Sequence, residues 1–205
     1  MIADLYGLYA VTQDDPLLPR LSALVGSALA GGVRLVQYRN KQAAPALRRA
    51  QAAELLRLCR GHGARLIVND DLELALELGA DGVHLGADDG DIGRARAALG
   101  PERILGVSCY DDLAAGLAAA AAGADYLAFG SIFVSATKPL APRASLDLLG
   151  EAKRRFALPI AAIGGITLDN AGEAIAAGAD MLAVITDLFD AMDIAARARA
   201  YARLY

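Results

Sequence analysis

Eight short apolar runs, separated by alanine- and leucine-rich stretches, recur through the chain in units of roughly 25 residues, and this alternation restricts the fold more than any other feature. The runs are LYGLYAVT, LVQYRN, RLIVND, GVHLG, ILGVSCY, YLAFGSIF, PIAAIGG and MLAVIT. The stretches between them, such as APALRRAQAAELLRLCR and LDNAGEAIAAGA, have helical spacing. The runs are apolar on both faces, as expected of a parallel sheet covered by helices. Together these features predict an α/β chain that is one (β/α)8 TIM barrel over residues 1–205. A doubly wound open sheet is the alternative. It normally uses fewer strands, and no G-x-G-x-x-G follows the first run. Gly61, Gly79, Gly123 and Gly178 are placed to end helices in the left-handed conformation. The echo GADGVHLG, GADYLAFG and GADMLAVI gives Asp81, Asp125 and Asp180 a structural role at the bottom of the barrel.

With 205 residues, 56% of them hydrophobic, the chain can bury a large core. No apolar run reaches membrane-spanning length, and the start lacks the basic segment of a secretion signal. Cys59 and Cys109 form no C-x-x-C pair, so a reducing cytoplasm is expected. The net charge of −4 argues against nucleic acid as a partner. It does not exclude a small anionic ligand held by locally concentrated cations. A homo-oligomer is left open.

In a barrel the active site lies where the strands end, at their C-terminal edge. Strand two ends in Gln37, Tyr38, Arg39, Asn40 and Lys41, strand three in Asn69 and Asp70, and strand five near Ser108. The loop after strand four carries Asp88 and Asp89, and the loop after strand six carries Ser135, Thr137 and Lys138. Carboxylates from adjacent strands repel unless a cation sits between them. Hard oxygen ligands suit Mg²⁺, which takes one or two carboxylates together with phosphate oxygens and water. Arg39, Lys41 and Lys138 add fixed positive charge, so the mouth reads as a diphosphate site. A second anion site is expected at Gly164 and Gly165 after strand seven, with Ile185 and Thr186 after strand eight. There a side chain at Gly165 would fill the space a phosphate needs.

Plainer readings exist for several of these residues. Asp70 or Asp71 can cap the following helix, and Asp91 the next one. Asp88 and Asp89 can belong to a solvated loop, and spacing does not choose between them. Lys138 can be a surface lysine. His84, inside an apolar strand, reads as a satisfied core histidine, and His62 as part of a turn.

QYRNK, VNDD, GVHLGADD, GVSCY, FGSIFVSATKP and AIGGI occur in that order, and together they resemble the thiamine phosphate synthase family from about Leu8 to Phe189. The resemblance implies a TIM-barrel transferase. It would join 4-amino-2-methyl-5-hydroxymethylpyrimidine diphosphate to a thiazole phosphate and release diphosphate. It also implies that Gln37, Tyr38, Arg39, Asn40, Lys41, Asn69, Ser108 and Lys138 contact the pyrimidine diphosphate, with Arg39, Lys41, Ser108 and Lys138 as the catalytic set. Asp70 and Asp89 would hold Mg²⁺. Ser135, Ala136, Thr137, Gly165, Ile185 and Thr186 would hold the thiazole phosphate. The chain departs from the family pattern at Ala87, where glutamine is usual, at Val134, where proline is usual, and at Ser135, where threonine is common. A thiazole tautomerase on the same fold would carry a catalytic histidine where Ser108 stands. A regulatory barrel would bind without turnover.

Overall fold

The computed structural model describes residues 5–86, 89–134 and 143–205. Eight parallel strands close in chain order: β1 (Gly7–Val11), β2 (Leu35–Tyr38), β3 (Arg65–Asn69), β4 (Gly82–Leu85), β5 (Ile104–Tyr110), β6 (Tyr126–Gly130), β7 (Ile160–Ile163) and β8 (Met181–Val184). Helices α1 (Leu18–Ala30), α2 (Pro45–Gly61), α3 (Leu72–Leu78), α4 (Ile92–Leu99), α5 (Leu113–Ala121), α6 (Leu146–Arg155) and α7 (Ala171–Ala176) follow the first seven strands. The short α8 (Thr186–Phe189) and then α9 (Ile194–Ala202) follow the eighth. The (β/α)8 barrel predicted from the alternation is therefore the fold.

Strand side chains alternate between the two faces of the sheet. Val36, Leu66, Val68, Val83, Leu105, Leu127, Phe129 and Leu182 point outward and pack beneath the helices. Tyr9, Val11, Leu35, Ile67, Ile104, Tyr126, Ala161 and Met181 fill the barrel itself. Both faces are buried, which is why the strands read as unbroken apolar runs. Gln37, Asn69, His84 and Ser108 fall in the inward phase near the strand ends. The sequence thus directs its polar strand residues to the mouth.

The Gly-Ala-Asp echo has a physical cause. Asp81 donates its backbone N–H to Leu66 O at 3.0 Å, and its Oδ2 accepts from Leu66 N at 2.7 Å. Asp125 makes the same pair of bonds to Leu105, and Asp180 to Ile160. Each aspartate clasps the strand before its own and satisfies an N–H at the strand entrance. Lys153 pairs with Asp180 at 2.7 Å, and Arg96 pairs with Asp125. Gly79, Gly123 and Gly178 take positive φ just past their helices, as expected. Gly61 does not. It is the last residue of α2, and Gly63 takes the left-handed position (φ 64°), with its N–H on Arg60 O and that of Ala64 on Cys59 O. The helix runs to the glycine instead of stopping before it, so the reversal falls two residues later. Among the described residues no helix is long and apolar enough to cross a membrane.

Candidate active site

Asp70 and Asp71 do different work. Asp71 caps α3, its carboxylate accepting from Leu74 N at 2.9 Å. Asp70 has left-handed backbone (φ 62°), which costs an L-residue roughly 1–2 kcal/mol. Its N–H bonds to His84 O at 2.8 Å, extending the β3–β4 ladder, and its side chain is left at the mouth. There it pairs with Lys41 Nζ at 2.8 Å and lies against the Asp89 carboxyl. Asp89 is held from its own loop, Oδ2 accepting from Gly86 N at 2.7 Å. A Cβ on Gly86 would stand 2.8 Å from that oxygen, so a side chain there would displace the carboxylate from this position.

Two carboxylates in contact do not both ionise freely. Burial works against ionisation of Asp70, but the bonds from Lys41 and Asp89 outweigh it and hold its carboxyl below the usual range. Burial, and then the Asp70 carboxylate, push Asp89 up. The pair thus divides its affinity for protons unequally, with the Lys41 ammonium standing 2.8 Å from the Asp70 carboxylate. Among the described residues no third acidic, histidine or cysteine ligand joins the pair. Such a donor set fits Mg²⁺, which draws its remaining ligands from phosphate and water.

The predicted basic residues lie beside it. Arg39 Nη1 reaches Asp14 Oδ1 at 3.3 Å, and that same oxygen accepts from Lys41 N at 2.9 Å. Thr12 Oγ1 donates to Arg39 O at 2.9 Å and accepts from Arg39 N at 2.8 Å. The β1–α1 loop thus fixes the Arg39–Lys41 segment, a role for Asp14 and Thr12 that the sequence reading missed. A signal was there, because TQDD is another aspartate doublet just past a strand.

Two of the predicted contacts point elsewhere. Tyr38 lies in the outward phase and is buried under α2, where its hydroxyl donates to Gln51 Oε1 at 2.8 Å. Asn40 is also buried, its Nδ2 donating to Asp15 O at 2.7 Å and Gln51 Oε1 at 2.9 Å. Their side chains anchor β2 to α2 and do not join the mouth cluster. Neighbours in a strand face opposite ways, so a contiguous run of five residues does not present one surface.

Inside the barrel, beneath the mouth, runs a chain of polar side chains. Gln37 Nε2 donates to Tyr9 Oη at 2.7 Å, and Tyr9 Oη lies 2.7 Å from Tyr126 Oη. Tyr126 Oη is 2.9 Å from His84 Nδ1, and His84 Nε2 is 2.8 Å from Ser108 Oγ. His84 is the satisfied buried histidine expected from sequence. Desolvation lowers its pKa to about 4 against the opposing pull of Asp70. Burial likewise raises both tyrosines, so their phenols stay protonated. Gly106 makes the chain feasible, since a Cβ there would lie 2.0 Å from Tyr126 Cζ.

At the far side of the mouth, Gly164 and Gly165 have φ of 103° and 63°. A Cβ on Gly165 would meet Val134 O at 2.3 Å and the Phe133 carbonyl at 2.9 Å. The space on the Cβ side of Gly165 is therefore taken by the chain leaving β6, where the sequence reads that space as a phosphate's. Ile185 and Thr186 stand at the start of α8, and Asn69 ends β3 beside Asp70. Ser135, Ala136, Thr137 and Lys138, with Ala87 and Asp88, lie outside the described residues.

Residues 8–188 match the family model described as thiamine monophosphate synthase. The chain belongs to the thiamine-phosphate synthase family. It is 56% identical over 201 residues to thiamine-phosphate synthase of Aromatoleum aromaticum, covering 98% of this chain and 97% of that one. It is 55% identical to that of Methylobacillus flagellatus, covering 97% and 95%. Among solved structures, thiamine phosphate pyrophosphorylase from Pyrococcus furiosus superposes with a TM-score of 0.86 at 33% identity, covering 97% of this chain and 95% of that one. The chain is accordingly an enzyme of the transferase class in thiamine biosynthesis. Enzymes of this family generally use Mg²⁺.

Proposed function

We propose that the barrel mouth joins the aminopyrimidine diphosphate to the thiazole phosphate by dissociative substitution, with diphosphate leaving. The observation that carries this reading is the contact of Asp70 and Asp89 at the mouth, with Lys41 against Asp70 and Arg39 beside it. Asp70 and Asp89 would hold Mg²⁺, whose bound charge would help neutralise the departing diphosphate. Arg39 and Lys41, fixed through Asp14, bind the same group, and Lys138 completes the set from the loop after β6. Positive charge there matters most as the carbon–oxygen bond breaks, because charge on the leaving group then grows. Gln37, Asn69 and Ser108 orient the pyrimidine. The thiazole phosphate is held by Ser135, Ala136, Thr137, Ile185, Thr186 and the backbone of Gly165. No protein nucleophile takes part. The aminopyrimidine stabilises the cation left behind, and the thiazole nitrogen attacks it. What the chain supplies is positioning and leaving-group stabilisation. The partners are these small molecules, in a cytoplasm whose reducing conditions suit two free buried thiols.

The test is to incubate the protein with both substrates and Mg²⁺ and to look for thiamine phosphate by mass. The expected product requires both substrates and the metal. Release of diphosphate without a coupled product, or binding without turnover, overturns the reading.

A further inference from the structure

The buried chain from Gln37 to Ser108 is more than a filled core. Each of its hydroxyls has one proton, so the direction of one hydrogen bond sets the direction of the next. Gln37 donates through Nε2, so Tyr9 Oη accepts, and its own proton goes to Tyr126 Oη. Among the described residues Tyr126 then has only His84 Nδ1 to donate to. A neutral ring that accepts at Nδ1 carries its proton at Nε2 and donates to Ser108 Oγ. Two groups at the ends of the chain are left over: Gln37 Oε1, which no donor reaches among the described residues, and the Ser108 hydroxyl proton, for which none of them supplies a further acceptor. Both residues lie in the inward phase at the strand ends.

We propose that these five side chains form one polarised relay that makes Gln37 an acceptor and Ser108 a donor toward the ligand, with Tyr9, Tyr126 and His84 as positioning residues. The opposite polarity is chemically complete as well. With the Gln37 amide turned over, every bond reverses, the His84 proton moves to Nδ1, Gln37 presents N–H and Ser108 presents a lone pair. The two states differ in what the mouth recognises. In the assigned state a ligand group at Gln37 must donate and one at Ser108 must accept. An amino-substituted nitrogen heterocycle bearing oxygen acceptors fits this pattern. An oxo-substituted ring, with a carbonyl where the amine stands, does not. The ligand half of the inference rests on the proposed function, whereas the proton half stands without it.

The chain has only two histidines, and His62 lies at the end of α2, bonded to Leu58 O. Nitrogen-15 NMR of histidine-labelled protein, with His62→Gln for assignment, therefore reads His84 directly. The Nε2–H tautomer should outnumber the Nδ1–H form by roughly tenfold or more, as a net hydrogen bond at a buried site would dictate. Tyr9→Phe leaves both direct partners of His84 in place but frees Tyr126 to donate either way. It should bring the two tautomers within roughly threefold of each other. A merely structural Tyr9 would leave the ratio unchanged. A dominant Nδ1–H tautomer, a doubly protonated ring, or no response to Tyr9→Phe overturns the relay. For the ligand half, the ratio of kcat/KM for the 4-amino substrate to that for its 4-oxo analogue should fall by roughly tenfold in Tyr9→Phe. If the tautomer shifts and this ratio does not, the relay holds and its assigned role in recognition fails. If the wild type turns over neither substrate, the failure lies with the proposed function.

Discussion

Gly106 is a site where one methyl group should disrupt the barrel interior. Alanine would place Cβ 2.0 Å from Tyr126 Cζ and 2.2 Å from its Oη. The backbone has little freedom to yield, because β5 is paired on both sides, Gly106 standing opposite His84 and Tyr126. Carbon atoms in good contact sit about 3.5 Å apart, so the ring must withdraw by about 1.5 Å. Bonds of 2.7 Å to Tyr9 and 2.9 Å to His84 would not survive that movement. Overpacking costs about 1–3 kcal/mol, and two buried hydrogen bonds lose about 1 kcal/mol net apiece. The alanine recovers about 0.5–1 kcal/mol by restricting the unfolded chain. The balance is about 3 kcal/mol of lost stability, or a melting temperature lower by roughly 6–12 °C for a chain of this size. Thermal unfolding followed by circular dichroism measures it. The same substitution in a Tyr126→Leu background has no ring to displace and should cost less than about 1 kcal/mol. A Gly106→Ala protein that melts within about 2 °C of wild type, or that loses as much in both backgrounds, would refute the argument.

Asp70→Asn and Asp89→Asn should each lower turnover by roughly 100-fold and weaken the response to added Mg²⁺, without lowering the melting temperature. Asparagine tolerates the left-handed backbone at position 70, so a Mg²⁺ titration unchanged in either variant would remove the pair from the metal site. Gly165→Val should destabilise the protein by about 2 kcal/mol or more, because a β-branched residue at φ 63° meets the Val134 carbonyl. Denaturant unfolding tests this, and a stable variant with only a raised KM for the thiazole phosphate would show instead that Gly165 guards phosphate space. Burial pushes the Cys59 and Cys109 thiols up to about 12, so a disulfide reagent at pH 8 should label them only on unfolding. The unfolded chain ionises its thiols near pH 8.5. Their contribution to stability is therefore full below that pH and declines as pH rises toward 12, which a series of unfolding curves from pH 7 to 10 would show.

The barrel was legible because its signal is repeated. Eight apolar runs in regular alternation with helical stretches leave few architectures open, and the Gly-Ala-Asp echo marked the clasps that hold β4, β6 and β8 to the strands before them. The errors came where a one-dimensional reading ignored direction. QYRNK looks like a single recognition surface, yet Tyr38 and Asn40 turn back to Gln51 on α2 while Gln37 faces into the barrel. At Gly165 the glycine marks a close approach of backbone from a distant part of the chain, which no local pattern reveals. Tyr9 and Tyr126 were hidden for a similar reason. Aromatic residues in buried strands usually mean packing, and only the closed barrel brings their hydroxyls, 117 positions apart in sequence, to 2.7 Å.

The aspartate doublets follow from the geometry of the βα turn. The chain leaves a strand at the mouth and must then turn outward to start a helix on the barrel's flank. The first position after the strand still faces the mouth, and the next stands where the helix begins. Aspartate suits both, as a charged ligand in the first and as a helix cap in the second. The β3 doublet divides in this way, Asp70 meeting Lys41 and Asp71 capping α3. The β1 doublet lies three and four positions past its strand, and neither aspartate caps α1. Asp14 holds the Arg39–Lys41 segment, while Asp15 accepts from Leu17 N at the entrance of α1. After β5, Asp112 caps α5 through Ala114 N. After β4 the two roles are spread further apart, with Asp89 at the mouth and Asp91 capping α4. An aspartate doublet thus does not by itself mark a metal site. What sets Asp70 and Asp89 apart is that β3 and β4 pair directly and turn their mouth-facing carboxylates onto each other.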